Sequence, residues 1–238
     1  MAETSATHST QQPVGELVDL SSTTQSPSNV TLTGTTVTLT HLLPSHAEDL
    51  WDVLKGDKSL WTYMFGGPFE TSADFTNYVN AISASREPFF YAVVQNSTGK
   101  AIGHVSLMRF DAANRTIEAG SIMFSPLLQR STAATEAIYL LSKYAFEALG
   151  IRRYEWKCNV LNEPSQRAAR RFGFKYEGIF RQHMIAKGRN RDTAWFSMLD
   201  SEWDVVKLAF EEWLKEENFD AEGKQKRRLD DIRESLGA

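Results

Sequence analysis

Cysteine is almost missing from this chain. The single thiol, Cys158, excludes an intrachain disulfide and fits a reducing compartment. No apolar run approaches the roughly 20 residues needed to span a bilayer, so no membrane segment is expected. No Lys or Arg precedes Lys55, so the opening segment has neither the charged start of a secretory signal nor the Arg-rich face of a transit peptide. A cytoplasmic protein is the resulting expectation. Clustered His and Cys residues are absent, which argues against a metal site, and Gly-rich nucleotide motifs are absent as well. The formal net charge of −4 gives no general attraction to nucleic acid or to an anionic membrane.

What is present divides the chain into three parts. Residues 1–29 are rich in Ser, Thr and Gln and contain no aromatic residue, so they are expected to be a disordered tail. Residues 30–204 alternate strand-like and helix-like runs and are expected to form one α/β domain. Residues 205–238 read as a C-terminal helix followed by a charged, frayed tail. That helix, with Trp203, Val206, Phe210, Trp213 and Leu214 near helical spacing, is expected to pack on the domain or dock a partner.

Within the domain, Thr35–Leu39 reads as a strand. Two helices follow, starting near Pro44 and Ser72, joined by an aromatic loop containing Trp61, Tyr63 and Phe69. Three strand-like runs with short polar turns, ending in Thr116–Phe124, argue for antiparallel pairing. A helix from Thr132 to Leu149 then leads to the strand Arg153–Val160, which a helical crossover should set parallel to Thr116–Phe124. Asn162-Glu163-Pro164-Ser165 has the form of a helix start. A strand hairpin, Phe174–Ala186 and Arg191–Trp203, closes the domain. A sheet that changes from antiparallel to parallel pairing at one place should splay there and leave backbone groups free.

The turn between strand and helix, Gln129-Arg130-Ser131-Thr132-Ala133-Ala134-Thr135, offers small side chains at a helix N-terminus, whose free amides and partial positive charge suit an anion. Helix capping by Ser131 or Thr132 explains the same residues without a ligand.

This order of motifs resembles the GNAT N-acetyltransferases. Their pyrophosphate loop has the pattern Gln/Arg-x-x-Gly-x-Gly/Ala, and Gln129, Thr132 and Ala134 stand at its three positions, Thr132 in place of the usual Gly. Thr135-Glu136-Ala137, Asn162-x-x-Ser165, Phe172-Gly173-Phe174 and Glu177-Gly178 are similar to the branch containing the ribosomal-protein N-terminal acetyltransferases. The resemblance implies the GNAT fold, a mixed and mostly antiparallel sheet with splayed central strands flanked by helices. It implies acetyl-CoA as co-substrate, with no metal. The pantetheine would lie between the splayed strands beside Ile122, Met123, Phe124 and Asn162, and the pyrophosphate would reach residues 129–135. Ser165 is implied as the acid that protonates the departing thiolate, since Ala169 occupies the place where many members carry a Tyr. Candidates for the base are Glu118 and His183, with Asp192 as a turn or orienting residue. Trp61, Tyr63 and Phe69 would line the acceptor cleft, or else plug the helix pair as core residues. The implied acceptor is a primary amine on a small or amino-acid-like molecule; a protein N-terminus is the alternative, as is an acyl-CoA-binding module without turnover. A monomer or homodimer is expected.

Overall fold

The computed structural model describes residues 12–237. Its centre is an eight-stranded sheet in the order β1-β2-β3-β4-β5-β6-β8-β7. The strands are β1 (Leu32–Thr33), β2 (Val37–His41), β3 (Phe89–Gln95), β4 (Lys100–Asp111), β5 (Thr116–Phe124), β6 (Arg153–Asn159), β7 (Lys175–Ala186) and β8 (Arg189–Leu199). Every neighbouring pair is antiparallel except β5 and β6. Those two are joined by the helix α3 (Thr132–Lys143) and a π-wound turn, Tyr144–Ala148, which together form the crossover that parallel strands require. The α/β class and the mixed sheet expected from the sequence are both present.

Two apolar clusters clothe the sheet. On one face, strand residues such as Tyr91, Val105, Ile117, Tyr154, Trp156 and Phe196 pack against α3 and α5 (Asp200–Leu214). On the other, α1 (Ala47–Leu54) and α2 (Ser72–Ser83) cover Phe90, Ala92 and Met123. Strand alternation puts the two sets on opposite faces. In β6, Tyr154, Trp156 and Cys158 point into the first cluster, which leaves Arg153, Glu155 and Lys157 on the second face, beyond the reach of α1 and α2.

A buried carboxylate fastens the N-terminal edge. Glu136 on α3 accepts from the backbone amides of Thr35 (2.6 Å), Thr36 (2.7 Å) and Val37 (3.0 Å). The Thr36 hydroxyl donates to it as well. Gly34 lets this carboxyl approach, because a β-carbon there would lie 2.5 Å from it.

Three expectations change. Of the tail, residues 1–11 lie outside the described residues. Farther on, Thr24 and Gln25 both donate to the Leu149 carbonyl, and the Ser28 amide donates to the Tyr144 hydroxyl, so this part of the tail is bound to the domain. The last strand ends at Leu199, and α5 takes over at Asp200. The charged C-terminal stretch is not frayed through its described length. It forms a further helix, α6 (Leu229–Ser235), whose Leu229 and Ile232 are buried, and Arg233 donates to the Arg171 carbonyl at 2.8 Å. Trp203, Val206, Phe210 and Trp213 are likewise buried within this chain, which leaves α5 no free aromatic face for a partner. No helix of the described residues is long and apolar enough to cross a membrane.

Candidate active site

β5 and β6 pair only from Thr116–Arg153 to Ala119–Trp156. Beyond those pairs β5 continues to Phe124 and β6 to Asn159 without bonding to one another, so a notch opens in the sheet. Its cause is local. The β4–β5 register slips between His104 and Ser106, and Ser121 of β5 is in the left-handed region at φ 46°. An extra residue of this kind bends a strand and increases its twist. The Ser106 hydroxyl donates to the Gly120 carbonyl (2.9 Å) and holds the bulge from the neighbouring strand. Ile122, Met123 and Phe124 form the β5 side of the notch, with unpaired backbone toward it.

The N-terminus of α3 lies at the end of β5. The Leu128 and Gln129 amides both donate to the Ser125 carbonyl at 2.9 Å, and the Gln129 side chain donates to the Phe124 carbonyl at 2.9 Å, tying the turn to the strand. Arg130 takes a left-handed φ of 59°. Ser131 is the N-cap: its Oγ accepts from the Ala134 amide (3.1 Å) and donates to the Leu128 carbonyl (2.6 Å). Ala134's amide is therefore already satisfied, and its side chain is buried. Thr135 is buried too and accepts from Arg171 Nη1 at 3.0 Å. The Thr132 and Ala133 amides precede the first intrahelical bond and, with that of Arg130, have no acceptor among the described residues. The open part of the predicted anion loop is thus Arg130, Thr132 and Ala133.

Across the notch, α4 (Glu163–Arg171) begins at Asn162, whose Oδ1 accepts from the Ser165 amide at 3.2 Å. The Ser165 hydroxyl accepts from Trp156 Nε1 at 3.0 Å, and its own proton faces the Cys158 sulfur. Burial pushes the neighbouring Cys158 thiol up, which keeps it protonated.

On the second face of the sheet, Glu118 is 5% exposed. Its carboxylate lies 3.0 Å from Lys157 Nζ and 3.1 Å from Arg109 Nε. Lys157 also bridges to Glu155 at 2.6 Å and sits 3.8 Å above the Trp195 ring. Burial raises the Glu118 pKa, and the two cations only partly offset it. His183 is close by: its Nδ1 is 3.0 Å from the Thr193 hydroxyl, and its ring neighbours Phe180 and Trp195. Desolvation first, then Arg109, Arg191 and Lys157, lower its pKa and favour the neutral imidazole. Asp192 instead accepts from the Gln182 amide (2.7 Å) and the Asn190 side chain, bracing a bulge in β7, where Gln182 has φ 49°.

The aromatic loop divides its residues between the two readings. Trp61 is 3% exposed and stacks edge-on with Phe69, Phe75 and Tyr78. Phe69 stacks on Tyr78 in turn. Both rings plug the α1–α2 pair rather than form a cleft wall. Gly67, at φ 58°, is needed because a β-carbon would meet the Trp61 ring at 2.4 Å. Tyr63 does reach across, donating to the Leu161 carbonyl at 2.9 Å, and Lys187 of the β7–β8 turn donates to the Trp61 carbonyl at 2.7 Å. Phe65, which the sequence did not single out, covers the Arg191 guanidinium at 5.0 Å. Lys157, Arg109 and Arg191 were missed as well. Their signal was weak: each is one of several charged residues in its strand, with nothing local to mark it out. Among the described residues no group of three or more His, Cys, Asp or Glu side chains could hold a metal ion.

The family model for the acetyltransferase (GNAT) domain matches residues 36–175. The chain belongs to the GNAT acetyltransferase family. A GCN5-related N-acetyltransferase of Brucella melitensis has 46% sequence identity and a TM-score of 0.87, over 89% of this chain and 97% of that one. The Bacillus subtilis protein YdaF, provisionally named a ribosomal N-acetyltransferase, is 32% identical over 109 residues, 46% of this chain and 59% of its own length. A microcin C7 self-immunity acetyltransferase, crystallised with acetyl-CoA and AMP, shares the fold with a TM-score of 0.61 at 24% identity, over 70% of this chain and 93% of that one. This GNAT protein is an acyltransferase enzyme with the fold that its motifs led us to expect.

Proposed function

We propose that this GNAT enzyme transfers the acetyl group of acetyl-CoA to a primary amine on a compact, amino-acid-like acceptor. The observation that carries the reading is the notch between β5 and β6, which opens beside the free amides of Arg130, Thr132 and Ala133. A pantetheine arm has amides to pair with the unpaired strand edges, and a pyrophosphate suits the helix N-terminus. Asn162 and Ser165 stand on the far side of the same notch.

The chemistry follows from those positions. The amine must attack as the free base, and Glu118, facing the second side of the sheet, takes its proton, with His183 as the neighbouring alternative. Charge developing on the thioester oxygen meets backbone N–H groups at Ile122–Phe124. The C–S bond breaks, and the leaving thiolate takes its proton from Ser165. A protein N-terminus as acceptor is favoured by the names of similar proteins, YdaF among them; the bridge from Tyr63 to Leu161 across the cleft favours a compact molecule.

Ala133→Asp tests the cofactor reading. An acid in the first helical turn favours the helix, so the fold should hold. Calorimetry should show acetyl-CoA affinity reduced by a factor of roughly 30 or more through charge repulsion at the pyrophosphate. Unaltered affinity would remove the loop from the binding site.

A further inference from the structure

Strand β8 carries two buried donors on one face for which the described residues supply no acceptor. Arg191 is 8% exposed, and its Nε is unpartnered. Trp195 Nε1 is unpartnered as well. Alternation along the strand puts both on the face that holds Lys157 over Trp195. The other cations of this cleft are matched. Arg109 and Lys157 pair with Glu118, and Arg153 pairs with Glu155 and Glu177. Among the described residues, the Arg191 guanidinium has no hydrogen-bonding or carboxylate partner and makes its recorded contact with the Phe65 ring at 5.0 Å. Burial works against its charge, yet a guanidinium does not give up its proton at any physiological pH. A permanently charged, desolvated fork under an aromatic lid is complementary to a planar or tetrahedral anion.

We propose that Arg191 binds an anionic group of the acceptor, a carboxylate or a phosphate held a few bonds from the reacting amine. This rests on reading the cleft as the acceptor site of an acetyltransferase. The anion would supply the missing partner, and the two-point grip would aim the amine at the notch.

Two amine pairs that differ in the anion provide the test: phenethylamine with phenylalanine, and ethanolamine with phosphoethanolamine. Thiol release from saturating acetyl-CoA is measured for the native enzyme, Arg191→Gln and Arg191→Lys, with acetyl-CoA affinity measured alongside. The native enzyme should prefer the anionic member of at least one pair, and which pair responds separates carboxylate from phosphate. Arg191→Gln should reduce the anionic-to-neutral ratio of kcat/KM by about 10- to 100-fold, the range for one charged hydrogen-bonded contact. Arg191→Lys should restore part of it, and acetyl-CoA affinity should not move. Preference for the neutral member in both pairs overturns the proposal. So does an unchanged ratio in Arg191→Gln, or an enzyme that binds acetyl-CoA and uses none of the four amines. Failure of the native enzyme to bind acetyl-CoA is a separate result, because it removes the acetyltransfer reading beneath the proposal.

Discussion

Glu118 and Glu136 are each 5% exposed, and they are buried for opposite ends. Glu136 is held by three backbone amides and a hydroxyl from the stretch Thr35–Val37. Those donors cannot swing away without unfolding the edge of the sheet, so the charge is locked into the scaffold. Glu118 is held by the side chains of Lys157 and Arg109, on two neighbouring strands, and Arg109 is half exposed. Side chains can exchange partners, and burial leaves the Glu118 carboxylate readier than usual to hold a proton. Equal burial therefore says little about role; the kind of donor separates a rivet from a reactive group.

The sharpest way to break this comparison is Glu118→Gln. Removing the base should lower turnover by about 10²- to 10⁴-fold and move the optimum to higher pH, where the amine arrives neutral unaided. Its thermal midpoint should stay within roughly 3 °C of the native value, since Lys157 keeps Glu155 and a desolvated charge is lost. Steady-state rates across pH, beside a melting curve, check both halves. Glu136→Gln should do the reverse. Turning an amide NH2 toward backbone N–H donors should cost about 3 kcal/mol, a fall of roughly 6–12 °C in Tm, with kcat per folded molecule retained. If Glu136→Gln loses activity and not stability, the distinction collapses.

A buried group with no donor set at all extends the comparison. His104 is fully buried beneath Tyr78 and Phe90 with no side-chain partner for either ring nitrogen, and burial, opposed by the Ser121 backbone, holds its pKa down to about 4. The unfolded chain takes up a proton below about pH 6.5, while the folded chain stays neutral until about pH 4. Its contribution to stability is thus complete above 6.5 and is lost as pH falls through that window. The difference in unfolding free energy between pH 7 and pH 5 should therefore shrink by about 2 kcal/mol in His104→Gln. The smallest effect is expected at Ser165. Without its proton, Ser165→Ala should slow turnover about tenfold and leave acetyl-CoA affinity intact, because the backbone cap by Asn162 survives. Turnover at the native rate would assign Ser165 to helix packing alone.

Much of this was legible in one dimension. The helix starts at Ser131 and Asn162 follow from short-range capping, which depends on residues three apart. The crossover that sets β5 parallel to β6 follows from a helix lying between two strand-like runs. The misreadings have physical causes too. An aromatic loop has the same composition whether it lines a cleft or plugs a helix pair, so for Trp61 and Phe69 both readings stayed open until the packing was seen. The charge-rich C-terminal stretch hid two apolar residues, Leu229 and Ile232, that bury themselves once α5 supplies a surface. Arg191 gave almost no signal, because nothing in the order of residues says that one of a strand's two cations will lack a counter-ion.

Periodicity, caps and turn chemistry, which act over a few positions, were enough to determine the succession of strands and helices and the place where pairing changes sense. Tertiary structure alone decided which charges meet. Glu118 touches Lys157 and Arg109, while Arg191 lies under the Phe65 ring, because strand register and left-handed residues such as Ser121 set distances between segments far apart in the chain. Local propensity carries no information about such distances, since electrostatic and packing energies depend on separation in space.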